Sequence, residues 1–145
     1  KTALACSEVF DGEIICVTHH VGYIGPGVDE MPNDQKSILA AKGIKILTTT
    51  HLMAGLDRGV RNRFGGIYPA ELIASSLRML GQGVKVCVEI ASMALDAGLV
   101  PYGKEMVAIA GTNFGADTAA VILPAHSNNF FNTKVKEIIC KPREF

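Results

Sequence analysis

The stretch that most constrains this chain is Val107–His126, VAIAGTNFGADTAAVILPAH. Two short apolar runs, Met106–Ala110 and Ala119–Leu123, flank a glycine- and threonine-rich loop, Gly111–Thr118. A second polar turn, Pro124–Asn129, follows directly. Short apolar runs bounded by turn residues predict strands of a buried sheet. Gly, Thr, Asp and His at their ends predict the rim of a small-molecule site.

Such strands need a core around them. The chain has 145 residues, enough for a single domain, and 48% of them are hydrophobic, which marks a globular chain. Fourteen basic residues cancel fourteen acidic ones, so the net basic face of a nucleic-acid binder is not expected. No apolar run reaches the length of a membrane span, so no membrane partner is expected. The cysteines, Cys6, Cys16, Cys87 and Cys140, are scattered among apolar neighbours without a C-x-x-C pair. They predict free, mostly buried thiols in a reducing compartment, the cytoplasm, rather than disulfides or a zinc cluster. The opening TALACSEVF has helical spacing with no capping residue before it, and reads as a helix cut near its start.

Taken in order, Thr2–Phe10 predicts a short helix stopped by Asp11-Gly12, and Glu13–Thr18 a buried strand. His19–Asn33 is a long loop with three glycines and two prolines, of the kind that more often carries function than not. Pro32–Lys42 predicts a helix ended by Gly43, and Ile44–Thr49 the next strand. His51–Phe64 has helical apolar spacing interrupted by Gly55 and Gly59. Pro69–Leu80 predicts a helix closed by Gly81. Val84–Ala97 alternates at its start like a strand, but its length favours a helix. Val135–Cys140 predicts a last strand. The order α-β-α-β-α-α-α-β-β-β predicts a largely parallel sheet covered on both faces, with an antiparallel edge from the closely spaced final strands.

In open α/β sheets, ligands bind beyond the carboxyl ends of the strands. All four histidines fall there: His19 and His20 after Thr18, His51 after the second strand, His126 after the fourth. The loop after the third strand supplies Gly111, Thr112, Gly115, Asp117 and Thr118. These residues predict donors for a phosphorylated or otherwise anionic ligand. A metal reading is weaker, because no local ligand spacing is present. A structural reading, with histidines bonding backbone at loop starts, competes for each one singly. Arg58, Arg61 and Arg63 form either a solvated helix face or a phosphate clamp. Asp117 either caps its turn or orients a histidine. Glu89, inside an apolar run, requires a lysine or arginine partner. Tyr23 is placed to stack on a planar ligand or to lie on the surface. The G-x-S-x-G and P-loop patterns are absent.

The strings CVTHHVGY, GVRNRFGGIYPAELIASSLRML, KVCVEIASMALDAGLVP, AIAGTNFGADTAAVILPAH and KEIICKPR resemble a family of small, mostly archaeal and bacterial proteins. That family, to which no activity is assigned, is similar to the C-terminal α/β domain of pyruvate kinase but stands alone. The resemblance runs over nearly the whole chain. It implies a three-layer α/β/α fold of pyruvate kinase C-terminal type and a site for phosphorylated compounds, with flavin mononucleotide (FMN) as one such ligand. The family has a Ser-Gly-Lys-Thr-Ala-like phosphate loop after its first strand. Here only Lys1, Thr2 and Ala3 match the end of that loop, so half of the expected site has no counterpart.

The leading expectation is therefore a binding module for a phosphorylated small molecule, FMN or another nucleotide, lined by Lys1, Thr2, Thr18, His19, His51, Thr112 and Asp117. A second is a small enzyme using a histidine as general acid–base, oriented by Asp117. A third is a homo-oligomer whose interface is built from Leu72–Leu80 and Val86–Leu95. Pyruvate kinase activity is not expected, because nothing here supplies what the catalytic barrel provides.

Overall fold

Turn residues set where the elements stop. A computed structural model describes every residue from Lys1 to Phe145. Its elements are α1 (Thr2–Cys6), β1 (Ile15–Thr18), α2 (Asn33–Ala41), β2 (Lys45–Thr48), α3 (Gly55–Phe64), α4 (Pro69–Arg78), α5 (Gln82–Asp96), β3 (Met106–Ala110), β4 (Thr118–Leu123), a 3-10 turn (Ser127–Asn132) and β5 (Lys134–Cys140). The order matches the one read from the sequence. The chain divides into two compact units, Lys1–Thr50 and His51–Phe145.

In Lys1–Thr50, β1 and β2 pair in parallel from Ile15↔Lys45 to Thr18↔Thr48. Parallel neighbours need a crossover, which the long loop and α2 provide. Pro32 caps α2, where a missing N–H costs nothing, and Asp34 complements the dipole in the first turn. Gly43 (φ 72°) ends it. The Gly43 N–H donates to Ala40 O and the Ile44 N–H to Leu39 O, the paired bonds of a Schellman cap, with Leu39 and Ile44 both buried. The first helix is shorter than its spacing predicts. Past Cys6 the bonds tighten to Glu8 N–H→Ala5 O and Val9 N–H→Cys6 O, and Val9 and Phe10 are exposed. Without an apolar surface to pack on, a short helix frays.

In His51–Phe145, the core forms where α5 lies on one face of the sheet β3-β4-β5. The ambiguous Val84–Ala97 run is helical, since nearly all of α5 is buried. Cys87, Val88 and Ala91 pack against Ala108, Ala120 and Ile122. Small residues on the strands let the helix sit close, and Cys87 Sγ donates to Ala108 O at 3.3 Å. Gly83 is required by that closeness: a Cβ there would lie 2.0 Å from Thr118 Oγ1. A second contact closes α3 against α4, because Asp57 accepts the Ala70 N–H at 2.8 Å beside Pro69 in the first turn.

The sheet differs from the one expected. β3-β4 and β4-β5 are both antiparallel, and the parallel β1-β2 pair is a separate hydrogen-bonded ladder. Closely spaced strands favour antiparallel meanders, and here that rule governs all three final strands rather than one edge. Burial differs too. Ala108 and Ala110 are buried under α5, whereas Val107 and Ile109, on the other face of β3, are exposed. The thiols are free, as expected, but only Cys87 is buried and Cys140 is exposed on β5.

Candidate functional site

The helical repeat brings four polar residues of α5 onto one stripe: Lys85, Glu89, Ser92 and Asp96, at i, i+4, i+7 and i+11. Lys85, Glu89 and Ser92 are buried. Glu89 is fully buried, and it is the residue the sequence marks as needing a cation. Lys85 supplies it, donating through Nζ to Oε2. His51 Nδ1 also meets Oε2, at 3.3 Å, and the Met53 N–H donates to Oε1 at 2.7 Å. A carboxylate only accepts, so Nδ1 of His51 carries the proton in that bond.

Burial pushes Glu89 up, but the His51 bond, the Lys85 ammonium and the Met53 N–H outweigh it and hold the carboxyl at about 2. For Lys85, burial is the largest effect and lowers its affinity for a proton. Glu89 opposes this, while Arg78 and Arg58 add to the lowering. Thus Lys85, Arg58 and Arg78 share one neighbourhood. Arg78 is bonded to Gln82 Oε1, and Arg61 pairs with Glu71 at 2.8 Å. Ser92 Oγ is buried without a hydrogen-bond partner.

At the far end of the stripe, His126 Nδ1 donates to Asp96 Oδ1 at 2.8 Å, and the Ser127 N–H donates to the same carboxylate. Tyr102 lies parallel to the His126 ring, with centroids 5.8 Å apart. Burial raises Asp96, but the Ser127 and His126 bonds prevail and hold it below the usual carboxylate range.

The Gly111–Thr118 loop closes on itself. Asp117 accepts the Thr112 N–H at 2.9 Å and the Thr118 hydroxyl at 2.6 Å. These bonds, the Thr118 one foremost, hold its carboxyl low. At Gly111 a Cβ would meet Gly115 O at 2.7 Å, so the loop doubles back tightly there. Asp117 Oδ1 also lies 2.9 Å from where a Cβ of Gly83 would stand, at the start of α5. Of the two roles expected for Asp117, the structure shows the turn cap. The carboxylates bonded to histidines are Glu30, Glu89 and Asp96 instead.

Within Lys1–Thr50, Thr18 Oγ1 bonds Thr48 Oγ1 at 2.7 Å across the strand ends. His19 pairs with Glu30 and stacks on Tyr23, centroids 3.8 Å apart. His20 meets the edge of Tyr23, and its Nδ1 is buried without a hydrogen-bond partner. Lys1 stands at the N-cap of α1 and Thr2 opens the helix. A shallow groove of about 230 Å³ between Ser7–Ile14 and Lys42–Ile44 contains none of the nominated residues.

The nominated residues of His51–Phe145 thus gather at three places: His51 with Glu89, the loop around Asp117, and His126 with Asp96. Asp96 went unrecognised, although the same periodicity that joins Lys85 to Glu89 extends to it. No group of three or more His, Cys, Asp or Glu side chains is arranged to hold a metal. No family model matches the chain.

Proposed function

We propose that the chain is a binding domain for a phosphorylated small molecule, FMN or another nucleotide, on a three-layer α/β/α fold of pyruvate kinase C-terminal type and without pyruvate kinase activity. One observation carries the reading. Arg58 and Arg78 both act on the charge of Lys85, whose carboxylate partner is Glu89, and Glu89 bonds neither arginine. Arg58 forms no ion pair, so the cluster has cationic charge left over for an anion. The loop donors at Thr112 and Thr118 are already spent on Asp117, which directs the phosphate to the arginines rather than to the loop.

The test is calorimetry and flavin fluorescence with FMN, riboflavin and ribose 5-phosphate. FMN is expected to bind, and Arg58→Gln with Arg78→Gln to weaken it by about tenfold or more, as loss of one or two charge-assisted bonds would. Riboflavin, lacking the phosphate, is expected to ignore both substitutions. No binding of FMN or sugar phosphate at millimolar concentration overturns the reading.

A second reading, a small acid–base enzyme, is favoured by the His126–Asp96 hydrogen bond. There the carboxylate fixes the tautomer and leaves Nε2 for a substrate. It requires a reaction that His126→Gln abolishes while FMN binding persists.

A further inference from the structure

Helix α3 is amphipathic, yet none of its residues is buried. Leu56, Val60 and Phe64 recur at i, i+4 and i+8, forming one apolar stripe that is 87%, 37% and 77% exposed. A ten-residue helix containing Gly55 and Gly59 has little stability of its own in water. Its ties to α4 are Asp57 on the Ala70 N–H and Arg61 on Glu71. Both lie on one flank and leave the stripe open. Gly59 is the telling residue. A Cβ there would meet nothing within 4 Å, so no group in this chain requires the glycine. A second helix approaching closely would. Of the interface expected on Leu72–Leu80 and Val86–Leu95, the second segment is mostly core, whereas Leu72, Met79 and Leu80 of the first are exposed.

We infer that α3 is a self-association surface, on which a second copy of the chain lays its own α3 antiparallel about a two-fold axis at Val60. The size pattern is self-complementary. The small residues Gly59 and Val60 stand where crossing helices come closest, and the large ones, Leu56 and Phe64, where the axes diverge and each meets the other's counterpart. Area agrees in order of magnitude. Ile67 and Leu72, at the start of the tied helix α4, are 81% and 61% exposed. With the stripe they bring the apolar surface of two copies to roughly 1,200 Å², the lower end of specific interfaces.

Sedimentation of the full chain at micromolar concentration is expected to show a dimer. Val60→Glu is expected to weaken it by about 100-fold or more, since it buries two like charges on the axis. Far-UV circular dichroism establishes that this variant is folded. Independently of that, Val60→Cys is expected to give an oxidised dimer whose disulfide maps by mass spectrometry to position 60 of both copies. Arg58→Cys, on the opposite face of α3, is expected to give none. A monomeric native chain, a dimer that survives Val60→Glu, or equal cross-linking from positions 58 and 60 overturns the inference.

Discussion

At one end of the α5 stripe, His51 meets Glu89 with side chains 16% and 0% exposed; at the other, His126 meets Asp96 with 45% and 34% exposed. The donor, the acceptor type and the helix are the same. The surroundings are not. Glu89 also takes a buried ammonium and a backbone N–H, so its hydrogen bonds pin the His51–Met53 segment to the core. Asp96 takes the Ser127 N–H and remains in contact with water. A buried carboxylate exists only because its partners are complete, whereas a solvated one is stable with or without them. The buried pair is architecture, and the open pair leaves its histidine ring accessible to solvent.

The sharpest separation comes from removing the charges. Glu89→Gln leaves Lys85 buried without its counter-ion and is expected to cost about 3–5 kcal/mol. Asp96→Asn, with water on hand to replace the bond, is expected to cost about 1 kcal/mol or less. Urea denaturation midpoints measure both, and equal losses would erase the distinction.

Acid separates the ends next. Glu89 is held at about 2, below its ordinary 4.5, so the native state resists its protonation. A depressed carboxylate contributes stability that is complete above the ordinary value and is lost as pH falls towards the folded one. Native stability is therefore expected to drop between these two values by a few kcal/mol, and Glu89→Gln to flatten that part of the profile. Asp96 is shifted in the same direction, but its exposure screens the effect, so Asp96→Asn is expected to leave the slope nearly unchanged. Thermal melts across the acid range read both slopes.

The sequence told these ends apart only in part. Glu89 inside an apolar run announced a buried charge in need of a lysine or arginine, and the structure shows that cation to be Lys85, four residues earlier on the same helix. That is local information, carried by the 3.6-residue repeat. The helices and strands were legible for the same reason, apart from the frayed end of the first helix. Pairing was not. Alternation and apolar runs say that a strand is buried, but not which strand lies beside it or in which direction. Hence the antiparallel β3-β4-β5 meander was expected only as an edge. The carboxylates that meet His51 and His126 lie 38 and 30 residues away. Asp117 was the acidic residue within the predicted loop, and loop geometry spent it locally on Thr112 and Thr118.

Double-mutant cycles then isolate the pairs themselves. The coupling between His51→Ala and Glu89→Gln is expected to exceed about 1 kcal/mol, because each removal strands the other group. The coupling between His126→Ala and Asp96→Asn is expected to be a few tenths of a kcal/mol, the range of exposed pairs. Similar couplings would mean that burial is not what distinguishes the two ends.

The smallest effect belongs to the ring beside the open pair. Tyr102 is 76% exposed and lies parallel to His126 at a centroid distance of 5.8 Å. A solvated stack of this kind adds about 0.5 kcal/mol, so Tyr102→Ala is expected to leave stability almost untouched. It is expected to change the His126 ring-proton chemical shifts, since the ring current above them disappears. If the substitution instead costs as much as Glu89→Gln, the exposed end is also holding the fold together. His126 would then lose its claim to be a group held ready for a ligand.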